Sequence, residues 1–145
     1  SGRFYPSWAK SAEDRLKFYS SQFKIVEVDS SYYALPAEIT SRLWVERTPQ
    51  DFVFDVKAFR LFTQHQTSAK VLPKDIRDAL PADIREKENL YQRDIPSELN
   101  YELWHRFEQA LLPLDSAMKL GVVLFQFPPW YYCGNEQREY ILACK

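Results

Sequence analysis

Three short apolar runs limit what this chain can fold into. Residues 24–29, 51–57 and 122–127 are rich in Val, Ile and Phe, the composition of strands whose neighbours cover them. Helical spacing fills the stretches between. Ser11 reads as an N-cap with Asp14 three residues on, a variant of the capping box, and Leu16, Tyr19 and Phe23 follow at helical intervals. Pro36 leads into a second helix with Ile39, Leu43 and Trp44 on one face, ended by Thr48-Pro49 because a residue before proline avoids helical angles. Ser97 caps the longest helix. Its stripe is Leu99, Leu103, Phe107, Ala110 and Leu111, with Pro113 ending or kinking it and Gly121 as its stop. Strands alternating with helices predict parallel pairing through right-handed crossovers, and strands this apolar predict cover on both sheet faces. An open doubly wound sheet and a closed β/α barrel satisfy that pattern equally.

Parity along the strands adds a second constraint, since residues two apart share a face. Glu27 and Asp29 share one face of the first strand, against Val26 and Val28. Val53, Asp55 and Lys57 share one of the second, against Phe52, Phe54 and Val56. Leu124 and Gln126 share one of the third, against Val123, Phe125 and Phe127. Each strand thus has an apolar face, and an opposite face that turns polar toward its C-terminal end. In a barrel those ends meet at the mouth where active sites form. Charges gathered there need partners or a ligand, and Lys57 beside Glu27 or Asp55 is the expected internal pair. An ion-pair network without function is the plainer alternative.

The segment after the second strand, residues 58–96, is far longer than an ordinary connection and predicts an excursion with short helices of its own, one of them over 73–80. Residues 57–77 carry five basic side chains (Lys57, Arg60, Lys70, Lys74, Arg77) against the single acid Asp75, with His65 among them. Such a loop at a barrel mouth can hold phosphate or another anion, or be simply solvated. Tyr32, Tyr33, Phe59, Phe62, Trp130, Tyr131 and Tyr132 follow strand ends, where rings either stack on a sugar or base or roof the mouth. Trp44 and Trp104 read as core, and His105 as helix surface.

Composition removes several classes. Of 145 residues 46% are hydrophobic, which is enough for a core, and 19 basic against 20 acidic residues give a net charge of −1, unlike a dedicated nucleic-acid binder. Cys133 and Cys144 lack metal-ligand spacing and predict isolated reduced thiols. A carboxylate metal site through Glu27 and Asp29 would need further ligands, so no metal ligand is assigned, and no cofactor. Gly2, Gly121 and Gly134 are the only glycines, too few and scattered for a phosphate-binding loop. No apolar run is long enough to span a membrane, and a cytoplasmic protein is expected. The chain opens without Met and closes inside a helical pattern, which reads as a fragment.

At the strand ends the residues form motifs. Val26-Glu27-Val28-Asp29-Ser30-Ser31-Tyr32-Tyr33, Phe54-Asp55-Val56-Lys57-Ala58-Phe59-Arg60-Leu61-Phe62-Thr63-Gln64-His65 and Val123-Leu124-Phe125-Gln126-Phe127-Pro128-Pro129 resemble, in that order, the YecE-like family, domain of unknown function seventy-two. The resemblance runs through essentially the whole chain. It implies an α/β fold: a partial TIM-type (β/α) barrel, distantly similar to the xylose isomerase and endonuclease IV type, here strands two to four with their helices. It implies further strand–helix units on either side of residues 1–145, which then form a single barrel fragment, and no established activity. Its polar strand-end positions fall on Glu27, Asp29, Lys57, His65 and Gln126, with Asp29 standing where the family's pattern has Asn.

The expected function is an enzyme acting on a small anionic or sugar-like substrate. Glu27 would be general acid or base beside Asp29, Lys57 an electrostatic stabiliser and Gln126 an orienting group, while Arg60, His65 and Tyr33 bind the ligand. A non-catalytic phosphate- or nucleic-acid-binding protein using the basic loop is the alternative. Two open sheet edges predict self-association, or the company of the rest of the barrel.

Overall fold

The computed structural model describes residues 4–132 and 134–144, so Cys133 lies outside the described residues. Strands β1 (Ile25–Val28), β2 (Val53–Lys57) and β3 (Leu120–Leu124) form a parallel sheet in the order β1-β2-β3. Glu27 pairs with Asp55 and Val28 with Val56 across the first ladder, and Lys57 with Leu124 across the second. The third strand was expected over 122–127. It begins and ends earlier because its ladder with β2 stops at Lys57, and the Pro128-Pro129 pair beyond offers no amide to extend it.

Val28, Phe54 and Val56 point into one hydrophobic core. Helix α1 (Ala12–Gln22) starts with the predicted capping box, Ser11 accepting from the Asp14 amide at 3.0 Å and Asp14 from the Ser11 amide at 3.1 Å. Its Tyr19 meets Phe52 edge-on at 6.3 Å. After β1 the chain makes a single helical turn, α2 (Ser30–Tyr33). Helix α3 (Glu38–Glu46) stacks Trp44 on Phe54 at 5.7 Å. Its packed face runs through Trp44 and Val45, and Ile39, expected on that face, is 61% exposed.

In the long helix α6 (Ser97–Ser116) Leu103, Phe107, Ala110 and Leu114 are buried. Ser97 does not cap it: Pro96 holds the cap position, which leaves Ser97 inside the first turn. Pro113 does not end it either, and the helix runs on to Ser116. The stop is Met118 rather than Gly121. Met118 takes left-handed angles (φ 56°), and the bonds from the Lys119 amide to the Leu114 carbonyl and from the Met118 amide to Asp115, both 2.8 Å, complete a Schellman closure. Gly121 lies within β3, where the ladder shifts register.

Lys119 is buried. Its Nζ donates to the Val45 carbonyl (2.9 Å), the Thr48 carbonyl (2.8 Å) and Thr48 Oγ1 (3.0 Å), using all three ammonium donors on the C-terminal end of α3.

The excursion contains the expected short helices, α4 (Lys74–Ala79) and α5 (Ala82–Arg85), and closes on itself through a Thr67–Leu90 bridge. It is more than a charged loop. Phe59, Leu61, Phe62, Leu72, Ile76, Leu80 and Leu90 are buried in the main core, with Phe62 stacked on Trp104 at 3.8 Å.

Among the described residues only one of the two sheet faces is covered. The helices pack on the face of Phe54 and Val56, whereas Ile25, Glu27, Val122 and Leu124 on the other face are exposed. A barrel wall has this asymmetry, with helices outside and the second face turned to the lumen.

Candidate functional site

Parallel pairing puts the C-terminal ends of all three strands on one side. Three connections start there: Asp29 into α2, Ala58 into the excursion, and Phe125 into the approach to the last helix, α7 (Asn135–Ala143). Ser31 ties the first two together. Its buried hydroxyl lies 2.8 Å from the Val28 carbonyl and 2.7 Å from the Lys57 carbonyl, donating to one at a time, and the Arg60 amide donates to the Tyr32 carbonyl at 3.0 Å.

Tyr32 is the hub of the cluster. Lys57 Nζ sits 5.1 Å and the Arg60 guanidinium 5.4 Å from its ring centre, and the His65 ring meets it edge-on at 5.4 Å. Tyr33 packs edge-on against Tyr32 at 5.0 Å, and Trp130 lies 6.1 Å from His65. Tyr33 and Trp130 keep exposed rings around this group.

Lys57 pairs neither with Glu27 nor with Asp55. Its partner is Asp29, 3.3 Å away. Asp29 has left the strand, and helical backbone angles (φ −79°, ψ −23°) turn its carboxylate across toward β2. Asp55 serves the sheet instead, accepting the Val122 amide at 2.9 Å. Glu27 is exposed on the body of β1, and its carboxylate forms no hydrogen bond or ion pair with the described residues. Gln126, past the end of β3, is likewise exposed without such a partner. The structure thus gathers Asp29, Lys57, Arg60, His65 and Tyr33 around Tyr32 and leaves Glu27 and Gln126 outside their contacts.

The two cations differ in how they are compensated. Lys57 has Asp29. Arg60 has no ion pair among the described residues, and its Nε is buried without a hydrogen-bond partner, a costly state for a guanidinium donor. The turn over 60–65 holds it there. The His65 amide donates to the Arg60 carbonyl at 3.0 Å and the Gln64 amide to the Leu61 carbonyl at 3.2 Å, with Gln64 in left-handed angles (φ 64°). Thr63 Oγ1 lies 3.2 Å from the Arg60 carbonyl and 3.0 Å from His65 Nδ1. Burial, together with the charges on Arg60 and Lys57, holds the His65 pKa below its ordinary value.

Lys74 and Arg77, in the outer part of the basic segment, are balanced locally. Lys74 pairs with Asp78 at 2.7 Å, Arg77 approaches the same carboxylate at 3.8 Å, and Asp75 binds Arg106 of α6 at 2.9 Å. A separate cleft of about 930 Å³ between α6 and α7 is walled by Trp104, Phe107, Val123, Phe125 and Ile141, an apolar lining unlike that of the cationic cluster.

Tyr32 and Thr63 were the residues least visible in the sequence. Tyr32 was one aromatic among several. Thr63 had only its place two residues before a histidine.

The described residues include no helix long and apolar enough to cross a membrane. The family signature "Protein of unknown function DUF72" matches residues 1–145. The chain is 35% identical over 134 residues to the UPF0759 protein YunF of Bacillus subtilis (strain 168), covering 92% of this chain and 39% of that protein. A DUF72 family protein of Enterococcus faecalis V583 superposes with a TM-score of 0.62 at 23% identity, covering 88% of this chain and 41% of that one; a second crystal structure of it gives 0.60. The chain therefore spans about two fifths of the proteins it matches. The three-strand sheet is part of a TIM-like α/β fold, and the chain belongs to the DUF72 family of proteins of unknown function.

Proposed function

We propose that the C-terminal mouth of this sheet binds a small ligand through an oxyanion, with Arg60 as its main electrostatic contact. The observation that carries this reading is the uncompensated Arg60, whose Nε is buried and unpartnered beside Lys57. An oxyanion against the guanidinium would compensate its charge and offset that of Lys57 over the same Tyr32 ring. The exposed rings of Tyr33 and Trp130 suit the apolar face of a sugar next to the anion. Residues 1–145 supply this part of the site as one unit with a single main core, in a cytoplasmic barrel whose remaining strands would complete the mouth.

Lys57 is the best candidate for an electrostatic role in any reaction, because Asp29 fixes its ammonium near the mouth. Glu27 and Gln126 have less support as catalytic groups, since neither touches the cluster. The nucleic-acid alternative also has less support, because Lys74 and Arg77 direct their charge onto Asp78.

Calorimetric titration of the intact protein with inorganic phosphate and a sugar phosphate tests the proposal. Binding that falls at least tenfold in Arg60→Met is expected, since a hydrogen bond to a charged group contributes about 1.5–3 kcal/mol. Equal affinity in the variant, or no binding at millimolar ligand, would overturn it.

A further inference from the structure

Thr63 is fully buried, and its hydroxyl carries one proton for two neighbours, the Arg60 carbonyl at 3.2 Å and His65 Nδ1 at 3.0 Å. The carbonyl can only accept. If the Thr63 proton went to Nδ1, the hydroxyl oxygen and the carbonyl oxygen would face each other lone pair to lone pair in a site closed to water. That leaves one arrangement in which every contact is a hydrogen bond. Thr63 donates to Arg60, and His65 Nδ1–H donates to Thr63. The other ring nitrogen, Nε2, is then unprotonated and able to accept.

The imidazole is also kept neutral. It is packed between Tyr32 and Trp130, with Arg60 and Lys57 as charged neighbours. The cluster thus presents cationic donors from Arg60 and Lys57 alongside a neutral acceptor from His65. Fully deprotonated oxyanions satisfy the donors but set an oxygen lone pair against Nε2. An oxyanion that keeps one proton satisfies both.

We propose that Thr63 locks His65 as its Nδ1–H tautomer, so that Nε2 accepts the remaining O–H of a singly protonated phosphate and the site selects such a group over an unprotonated anion such as sulfate. The ligand class is hydrogenphosphate, free or as the monoanion of a phosphate monoester. The selectivity rests on the anion-binding reading of the site, whereas the tautomer does not. Thr63 is a positioning residue here, acting through His65.

The test pairs two measurements on the intact protein near neutral pH. Long-range proton–nitrogen correlation spectra report which nitrogen of each imidazole carries the proton, and a His65→Gln variant identifies the His65 signals. Calorimetry compares inorganic phosphate with sulfate, and a sugar phosphate with phosphate, to separate the free ion from a monoester. We expect the Nδ1–H pattern for His65 and at least tenfold preference for phosphate over sulfate, as one charge-assisted hydrogen bond supplies. Thr63→Val should move the tautomer toward Nε2–H, the form favoured by free histidine, and bring the preference near unity. Thr63→Ser should retain both properties. An Nε2–H tautomer in the unaltered protein, equal affinity for the two anions, or an unchanged preference in Thr63→Val would each overturn the proposal. If neither anion binds, the oxyanion site itself is wrong, and the selectivity falls with it.

Discussion

Asp55 on β2 accepts the Val122 amide of β3 at 2.9 Å from the space that a side chain at Gly121 would need. A Cβ on Gly121 would lie 2.2 Å from Asp55 Oδ1 and 2.7 Å from Val53 Cγ1. The ladder shifts register here, and the carboxylate satisfies an amide that the irregularity takes out of regular pairing. Glycine is required by this close approach, since its φ is not positive. Gly121→Ala should therefore lower unfolding stability by about 1–3 kcal/mol, the usual range for overpacking. Urea titration of the intact protein measures it. An unchanged midpoint would mean that Asp55 swings away freely.

Met118 closes α6 in left-handed angles (φ 56°) with an 84% exposed side chain. The side chain contributes little packing, while its Cβ opposes the conformation. Met118→Gly should stabilise the protein by up to about 1 kcal/mol, the relief of backbone strain outweighing the added unfolded-state entropy. A raised thermal midpoint is the readout, and a lowered one would show that the Schellman closure depends on the Met118 side chain.

These two residues show where the sequence was legible and where it was not. The capping box at Ser11, the alternation of strands and helices, and the apolar side of β2 were visible because each depends on neighbours in sequence. Gly121 read as a helix stop because glycine usually serves that role, whereas here contacts with Asp55 and Val53 across the sheet demand it. Lys119 gave no local sign of its role, since its acceptors lie more than seventy positions away. The site was legible as a set of strand-end polar residues. The pairing inside it was not. Parity assigned Asp29 by extended geometry, but the chain had already turned helical there, and that turn gives Lys57 its partner. The apolar runs did not say what covers the second face, because a lumen-facing wall and a helix-covered one call for similarly apolar strands.

Asp29 neutralises half of the cationic cluster, and its side chain is 65% exposed while that of Lys57 is 16% exposed. Removing the carboxylate frees the Lys57 ammonium for a ligand. Asp29→Asn should thus tighten phosphate binding several-fold, and more so at low ionic strength, where Coulomb effects are least screened. Lys57→Met should weaken it. Opposite signs in the two variants would show that Asp29 competes with the anion; weakening in both would make Asp29 part of the binding geometry.

His65 titrates below its unfolded value because burial and the charges on Arg60 and Lys57 disfavour the imidazolium. Between the folded and unfolded pKa values the unfolded chain binds more protons. The contribution of His65 to stability is therefore present above about pH 6.5 and is lost as pH falls through the lower folded value. A bound oxyanion offsets the positive neighbours and should raise the folded value. Following the His65 ring proton by NMR across this range should give a midpoint below the ordinary histidine value of about 6.5, moving upward when phosphate is added. A His65 midpoint at or above about 6.5 would remove both expectations.

The sheet leaves β1 and β3 as its edges and one face with Ile25, Val122 and Leu124 exposed. Open strand edges beside an apolar face favour pairing with another chain. Produced as residues 1–145 alone, the chain should self-associate in a concentration-dependent way, and light scattering during size-exclusion chromatography should show species larger than 17.2 kDa. Val122→Lys places a charge on the exposed face next to the β3 edge and should shift the distribution toward monomer. Ile39→Lys, which alters an exposed position on α3 away from that face, should not. A monomer at all concentrations would show that the open sheet is protected by its own geometry, and equal shifts in both variants would move the contact off the sheet.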